Sequence, residues 1–222
     1  MPGVEPDPAD ALRHWPLAGL VLRTPRLEMR PDDDAGLAAL ADRALDGVHP
    51  PGEMPFLHAW TDGADTPGFA RGILQYFWRC RADLDPARWS VNFLVREDGR
   101  VRGTQTLAAD DFTVVREVHT GSWLTRAAQG RGLGTEMRHA VIALAFDHLG
   151  ARAARTSAFT DNPASRRVSE RLGYLPDGVE HHARRGHPAV VHRFRLDPHT
   201  WRRPPWTLDV RGLEPCRELL GA

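Results

Sequence analysis

The spacing of apolar residues along the chain switches between the two-residue period of strands and the longer period of helices. Residues 89–95 alternate apolar and polar side chains and run into the turn sequence at 97–100, and residues 101–107 return, which predicts a β-hairpin. A third strand is predicted over residues 114–124. These three antiparallel strands lead directly into a glycine-rich segment at 129–135. The third strand is therefore predicted to end at a candidate ligand-binding loop.

The other periodic segments complete an alternation of helices and strands. Helices are predicted through Leu37 and Leu40 to Leu45, from about residue 67, over 133–148, and after the cap at 161–163 through Val168 and Leu172. Residues 20–24 and 27–30 are predicted to form a strand pair or one bent strand, and further strands are predicted at 153–159 and, as the last strand, 190–196. Three successive aspartates, Asp32 to Asp34, offer N-caps for the first helix, and Gly173 ends the last one. The pattern predicts an α/β (α+β) protein.

Changes in composition divide the chain into three parts. We predict an N-terminal leader at 1–16, a globular domain at 17–197, and a C-terminal appendage at 198–222 that packs on the domain. Within the domain, residues 47–66 are rich in proline and glycine and are predicted to form a loop, although this loop is unusually apolar.

Composition narrows the class of protein. The chain has 222 residues, of which 41% are apolar, and its formal net charge is zero, so no overall field favours nucleic acid or an anionic membrane. No apolar run is long enough for a membrane-spanning helix. Cys80 and Cys216 are the only cysteines and lack metal-ligand spacing, so we expect no metal site and a cytoplasmic location. All 29 basic residues are arginines, which excludes lysine-dependent catalysis.

The glycine-rich segment Gln129-Gly130-Arg131-Gly132-Leu133-Gly134-Thr135 lies between a predicted strand and a predicted helix. Alternate glycines allow backbone N–H groups to converge, and a helix N-terminus adds partial positive charge, so the segment predicts a pyrophosphate site. A P-loop needs a lysine that the chain lacks. A dinucleotide-binding fold needs its third glycine one residue later and a parallel sheet before the loop. The third candidate ligand of the segment, the 3′-phospho-ADP arm of coenzyme A, meets neither of these objections.

Four blocks in the chain resemble the GNAT superfamily, and specifically its ribosomal-protein-alanine N-acetyltransferase-like branch. The blocks are Leu22–Leu27, Gly121–Leu124, the glycine-rich segment Gln129–Thr135, and Asn162–Val168 followed by Leu172-Gly173-Tyr174. They occur in the family's order, and the resemblance extends over about residues 20–196. It implies the GNAT fold, in which helices flank a mixed and mostly antiparallel central sheet.

The resemblance also implies the reaction and its donor. Acetyl-CoA or another acyl-CoA would pass an acetyl or other short acyl group directly to an amine, without an acyl-enzyme and without a metal. Backbone N–H groups at Leu124 and Thr125 would hold the thioester carbonyl and the pantetheine, and the amides of 129–135 would hold the pyrophosphate. The residues expected to bind the donor are Leu124, Thr125, Gln129, Gly130, Arg131, Gly132, Leu133, Gly134, Thr135, Asn162 and Ser165.

Catalytic residues are harder to assign. Ser165 occupies the position whose hydroxyl donates to the CoA sulfur in related acetyltransferases. Some relatives carry a catalytic glutamate in the loop after the Leu-Gly-Tyr block, but here Arg184 stands at that place. We therefore predict that Asp110 and Asp111, at the end of a strand, face the acceptor cleft and supply the general base. His119, Glu180 and a water relay are the alternatives.

The acceptor is expected to be a small-molecule or protein amine. Met54, Phe56 and Trp60, from the apolar loop, and His119 are predicted to line its site. Arg126 and the side chain of Arg131 are candidate phosphate ligands.

Three alternatives stay open at this stage. The donor is succinyl-CoA in some similar proteins, or aminoacyl-tRNA in a few. The mixed basic and aromatic segment 193–206 has a chemistry that suits RNA, although the zero net charge makes tRNA the less favoured partner. A GNAT fold without catalysis, which binds CoA as a sensor, is the third alternative. Both a monomer and a homodimer fit the sequence.

Overall fold

A computed structural model describes residues 12–222, and within this range nine strands form one sheet. The strands are β1 Val21–Arg23, β2 Leu27–Pro31, β3 Arg88–Glu97, β4 Arg100–Asp110, β5 Glu117–Leu124, β6 Ala153–Phe159, β7 Leu175–Arg184, β8 His187–Leu196 and β9 Asp209–Arg211. Their order across the sheet is β7-β8-β6-β5-β4-β3-β2-β1-β9. Neighbouring strands are antiparallel except β5 and β6, which are parallel, so the predicted mixed and mostly antiparallel sheet is confirmed.

Four longer helices flank the sheet. They are α1 Asp34–Leu45, α2 Phe69–Ala82, α3 Leu133–Ala143, which continues as a π-helical turn over Leu144–His148, and α4 Pro163–Leu172. Shorter helical turns lie at Pro16–Gly19, Trp60–Gly63, Phe112–Val115, Arg126–Ala128 and Glu214–Cys216. The side chain of Asp33 caps α1 by accepting a hydrogen bond of 2.6 Å from the Gly36 amide, as the aspartate run predicted.

The helices lie on opposite faces of the sheet because strand side chains alternate between the faces. In β3, Phe93 belongs to the larger core, together with Met137 of α3. Its neighbour Leu94 packs instead in a second core with Leu37 of α1 and Phe77 of α2. The helices α1 and α2 therefore cover one face, and α3 covers the other.

The only parallel pair among the described strands is also the point where the sheet opens. β4 and β5 stay paired from Ala108 opposite His119 to Gly103 opposite Leu124. β5 and β6 are paired only from Glu117 opposite Ala153 to His119 opposite Arg155. The second half of β5 thus has a strand on one edge only, and we call the opening between it and β6 the gap.

Most predicted elements are confirmed, and three differ. The third strand of the meander begins at Glu117 rather than at 114, because residues 112–115 form a helical turn that ends at Arg116 with φ of 56°. β7 was missed because its residues are mostly polar and exposed, so no apolar alternation marks it. The prediction that 190–196 is the last strand is wrong, since β9 follows it.

The C-terminal segment 198–222 contributes to both sheet and core. Its strand β9 pairs with β1 at the sheet edge. Trp201 and Leu220 are buried in the larger core, and the indole of Trp89 donates a 3.0 Å hydrogen bond to the carbonyl of Leu220. Of the predicted leader, 1–16, residues 1–11 lie outside the described part of the chain.

Candidate active site

The glycine loop presents a run of free backbone amides. Gly130 and Gly132 have φ of 74° and 82°, in the left-handed region that glycine adopts without strain, and Gly132 is the N-cap of α3. Within the described chain, the amides of residues 130–134 donate no hydrogen bond to any protein acceptor. A β-carbon added at Gly130 would meet no atom within 4 Å, so the loop is open to a ligand. We call these amides the cradle, an arrangement that binds phosphate oxygens.

Side chains fix the cradle from behind. The amide group of Gln129 donates to the carbonyls of Val48 at 2.6 Å and Leu124 at 2.8 Å. Arg131 forms a bidentate pair with the buried Glu97, at 2.9 and 2.7 Å. The guanidinium of Arg131 is therefore occupied, and what this residue offers to a phosphate is its backbone amide.

A second arginine links the loop to the first turn of α3. Arg26 donates to the carboxylate of Glu136 at 2.6 Å and to the carbonyl of Arg131 at 2.9 Å. Thr24 also donates to Glu136, at 2.6 Å. Thr24 and Arg26, from the Leu22–Leu27 block, thus hold the conformation of the glycine loop. This contact gives a structural reason why the two blocks occur in the same chain.

The last residues of β5 turn backbone amides towards the gap. The amide of Thr125 already donates to the carbonyl of Arg102, at 2.8 Å. Because successive N–H groups along a strand point to opposite edges, the amides of Leu124 and Ser122 point towards β6. No strand pairs with them there, since pairing of β5 with β6 ends at His119. Of the two residues predicted to hold pantetheine through their amides, Leu124 is placed to do so.

The N-terminus of α4 borders the same opening. Asn162 caps the helix by accepting a 3.1 Å hydrogen bond from the amide of Ser165. One turn further along α4, Val168 packs beside Gly134. If Gly134 carried a β-carbon, the side chains of Val168 and Leu124 would each lie 3.9 Å from it. Ser165 and Val168 share a helix face, so Ser165 faces the cradle and the gap. Its half-buried hydroxyl has no hydrogen-bond partner among the described residues.

The apolar loop reaches the sheet where β5 ends. Phe56 lies 5.2 Å from Trp60, and Trp60 lies 5.5 Å from Trp123, measured between ring centroids. The carbonyl of Met54 accepts a 2.5 Å hydrogen bond from Arg184. An open cleft of about 210 Å³ lies beside this contact. The structure thus brings Phe56 and Trp60 close to the end of β5, whereas Met54 contacts Arg184 at the end of β7.

His119 lies on the face of the sheet that α1 and α2 only partly cover. Since Val118 is buried in the core with α3, His119, Gly121 and Trp123 point to the other face. Gly121 and His119 are exposed, as is Ser157 on β6. We call this exposed surface of β5 and β6 the acceptor face.

The prediction that Asp110 and Asp111 face the acceptor cleft is wrong. Ala108 pairs with His119, so Asp110 is level with Glu117 at the start of β5. Leu124 is seven residues further along, about 23 Å at 3.3 Å per residue. The carboxylate of Asp110 is 65% exposed and lies 3.3 Å from Arg88. Both aspartates are at the wrong end of the sheet because antiparallel pairing reverses the direction of β4.

The remaining candidates for a general base have different surroundings. Glu180 accepts hydrogen bonds from His182 and Arg193, both at 3.0 Å, and these partners lower its pKa. Arg184 forms a bidentate pair with Asp161, at 3.2 and 2.6 Å. These two side chains are held in ion pairs, whereas no described residue forms a side-chain hydrogen bond with His119.

Sequence reasoning missed Arg138 in α3. Its guanidinium donates to the hydroxyls of Thr156 at 3.1 Å and Ser122 at 3.3 Å, which belong to the two strands on either side of the gap. It is 3% exposed. The signal in the sequence is a charge within the apolar stripe, since residue 138 is directly followed on its helix face by Val141 and Ile142.

The described residues contain no group of three or more His, Cys, Asp or Glu side chains arranged to hold a metal ion. None of their helices is both long and apolar enough to cross a membrane.

Comparison with known proteins identifies the family. A profile described as the acetyltransferase (GNAT) domain matches residues 20–175, and the chain therefore belongs to the GNAT acetyltransferase family. It is a CoA-dependent N-acyltransferase with an acyl-CoA donor.

Solved structures of acetyltransferases share the fold. Mycobacterium smegmatis RimJ in complex with CoA-disulfide is 17% identical over 90% of this chain and 94% of its own, with a TM-score of 0.65. The ribosomal L7/L12 alpha-N-protein acetyltransferase RimL, in complex with coenzyme A, is 16% identical over 78% and 95%, with a TM-score of 0.58. A GCN5-related N-acetyltransferase from Brucella melitensis is 18% identical over 82% and 80%, with a TM-score of 0.62. The resemblance to the ribosomal-protein acetyltransferase branch is confirmed at the level of the fold.

Proposed function

We propose that this protein binds the pyrophosphate of an acyl-CoA on the cradle and threads the pantetheine into the gap. The observation that carries the proposal is the continuity of free donors. Among the described residues, the amides of residues 130–134 have no protein acceptor and the amide of Leu124 has no strand partner at the gap, and Leu124 lies beside Gly134. A phosphate and a peptide-like arm need these donors in this order.

Ser165 is proposed as the acid of the reaction. The amine nitrogen attacks the thioester carbonyl carbon, the C–N bond forms, and the C–S bond breaks with its electron pair on sulfur. The hydroxyl of Ser165 gives its proton to that sulfur and regains one from solvent. Its position at the N-terminal turn of α4, beside Asn162, and its free hydroxyl support this role.

His119 replaces the two aspartates as our proposed base. It lies on the acceptor face five residues before Leu124, about 17 Å along β5 at 3.3 Å per residue, against about 23 Å for Asp110. That separation calls for a relay of waters between the imidazole and the amine, so no direct contact of the base with the amine is needed. The absence of any described side-chain partner leaves the imidazole free for this task.

The acceptor is proposed to be the amine of a protein or peptide. The acceptor face is an exposed sheet surface rather than an enclosed chamber, and Phe56 and Trp60 border only its end at Trp123. An extended chain terminus fits such a surface. The relative RimL acts on the α-amine of a protein, which agrees with this class. A small amine in the cleft beside Met54 is the alternative.

Release of free CoA thiol tests this proposal. The enzyme is incubated with a panel of short acyl-CoA esters and with peptides whose N-terminus is free or blocked, alongside small amines. We expect thiol release with free peptide amines and none with the blocked peptides. Release only with small amines would refute the peptide acceptor. Binding of CoA without release for any acceptor of the panel would refute both proposed acceptor classes.

A further inference from the structure

Trp123 of β5 and Phe159 of β6 lie level with each other on the two sides of the gap. The parallel pairing of these strands ends at His119 and Arg155, and the two aromatic residues are each four residues further on. Phe159 points to the side of the sheet that carries the acceptor face, as Trp123 does, because it is two residues beyond Ser157. A segment that contacts both aromatic residues therefore crosses the gap on this side.

The apolar loop makes contacts on both sides of the gap. The ring of Trp60 lies 5.5 Å from the ring of the β5 tryptophan, measured between centroids. Six residues earlier, the carbonyl of Met54 accepts a hydrogen bond from Arg184, whose guanidinium lies 4.1 Å from the ring centroid of Phe159. Residues 54–60, which we call the strap, therefore cross the gap from β5 to β6 and the β7–β8 hairpin.

The strap covers apolar side chains of the sheet. Phe159 pairs with Val191 of β8, and both are buried together with Ala189 in a small cluster of their own. This cluster is separate from the core beneath α1 and α2. Met54 is itself buried and lines a cleft with Ala189, and the guanidinium of Arg184 lies over the ring of Phe159. The strap and one arginine thus take the place of a helix on this part of the sheet.

Arg184 connects the strap to two strands. Its side chain is 14% exposed and makes a bidentate pair with Asp161, in the turn after β6, in addition to its bond to the strap. The hydrogen bonds from Arg184 lower the pKa of Asp161, so this carboxylate is charged at neutral pH. The next residue, Arg185, pairs with Asp62 just beyond the strap. The β7–β8 hairpin therefore holds the loop at two points, and the less exposed of the two is Arg184.

We propose that Arg184 is a positioning residue that fixes the strap across the gap, so that the acceptor amine reaches the thioester only through the window between Gly121 and Ser157. This window lies between the last β5–β6 pair and the strap, which are about 13 Å apart along the strands at 3.3 Å per residue. The inference rests on the proposed function, since it takes the pantetheine to lie in the gap. Arg184 stands where some relatives carry a catalytic glutamate, and here it holds the acceptor entrance and takes no part in bond making.

Limited proteolysis of the intact protein tests the anchor without any substrate. Chymotrypsin cuts after aromatic and leucine residues, and the strap offers Phe56, Leu57 and Trp60 once it is released from the sheet. Arg184→Met removes the hydrogen bonds and keeps an unbranched apolar side chain over the ring. Cleavage within residues 54–60 should become at least about 10-fold faster than in wild type. An unchanged rate would refute the anchor.

Two further variants control this result. Arg203 has matching surroundings on the opposite side of the sheet, because it makes a bidentate pair with Asp147 and lies 4.4 Å from the ring centroid of Trp201. Arg203→Met should therefore leave cleavage of the strap at the wild-type rate. Arg184→Lys keeps the charge and should restore part of the protection. Equal acceleration by the Arg203 and Arg184 variants would show a general loss of stability and overturn the proposal.

Steady-state kinetics test the effect on the acceptor. In Arg184→Met, the KM for a peptide with a free N-terminus should rise at least about 10-fold, while kcat and the affinity for CoA stay within about threefold of wild type. Arg184→Lys should recover part of the KM. Faster cleavage of the strap with an unchanged acceptor KM, or an equal loss of CoA affinity, would overturn the proposal. If the wild type releases thiol with no acceptor, the proposed function fails and the window with it, whereas the cleavage rates still decide the anchor.

Discussion

The donor edge and the acceptor face of this protein are built in different ways. At the donor edge the ligand-binding groups are backbone amides, and side chains such as Gln129 and Arg131 hold the backbone in place. On the acceptor face the candidate groups are side chains, which come from β5 and from the loop at 47–66 that borders its end. One site depends on a local conformation and the other on long-range packing.

This difference predicts different responses to mutation. A cradle of amides fails when the backbone is distorted, and single side chains that point away from it matter only as supports. A surface made of side chains loses one interaction at a time and keeps its shape. The following changes test that contrast, beginning with the largest expected effect on transfer.

Gly132→Val should abolish donor binding. Valine at φ of 82° is strongly strained, and the new β-carbon would lie 3.4 Å from the guanidinium of Arg26. We expect CoA affinity to fall at least about 100-fold, measured by calorimetry. Gly72→Ala is the matched control, because a β-carbon there meets nothing within 4 Å and CoA binding should not change. Retained CoA binding in the Gly132 variant would refute the cradle.

His119→Gln should reduce turnover without affecting the donor. Loss of a general base typically lowers kcat by about 100-fold or more, and the side chain is exposed, so the fold should tolerate the change. Steady-state kinetics should show an unchanged KM for the acyl-CoA. Asp110→Asn is the control and should keep kcat within about twofold. The reverse result, with Asp110→Asn impaired and His119→Gln active, would contradict the geometry of β4 and β5.

Ser165→Ala should lower kcat by about 10-fold, since solvent can replace the proton donor in part. The Asn162 cap uses the backbone amide of Ser165, not its hydroxyl, so helix α4 should remain intact. Circular dichroism and CoA affinity should therefore match wild type. A variant with full kcat would show that the leaving thiolate is protonated from elsewhere.

His139→Gln should have the smallest effect on transfer but a clear effect on stability against pH. Burial lowers the pKa of His139 from 6.5 to about 4, and its Nδ1 accepts a 3.1 Å hydrogen bond from Trp201. The unfolded chain therefore takes up this proton first, and the folded state loses up to about 3 kcal/mol of stability as pH falls from 6.5 towards 4. Glutamine can accept the same bond but does not titrate. Urea unfolding at several pH values should show a smaller loss in the variant, and parallel curves would contradict this role.

The same contrast explains which parts of the site could be predicted from sequence. The cradle was predictable because alternate glycines, a helix start and the absence of lysine are all local features of residues 129–135. The cap Asn162-Pro163 was local too. The error over Asp110 was avoidable, because the predicted antiparallel order of the strands already places the end of β4 beside the start of β5, away from the cradle. Arg138 was missed because its hydrogen bonds are made with Ser122 and Thr156, which lie on two strands that are distant from it in sequence.

The elements of the fold also divide into those marked by a local sequence pattern and those that depend on tertiary pairing. Amphipathic helices and buried strands were predicted because the core imposes their periodicity. The polar strand β7 left no such pattern, and its position next to β8 is a tertiary feature. The short strand β9 has only three residues and depends on β1 for its partner.

A crystal structure of the protein with bound CoA would show whether the cradle and the gap hold the donor. We expect pyrophosphate oxygens within hydrogen-bond distance of the amides of residues 130–134. We also expect the pantetheine between β5 and β6, hydrogen-bonded to the amide of Leu124. CoA bound outside the gap, or phosphates held by side chains while those amides stay unpaired, would contradict it.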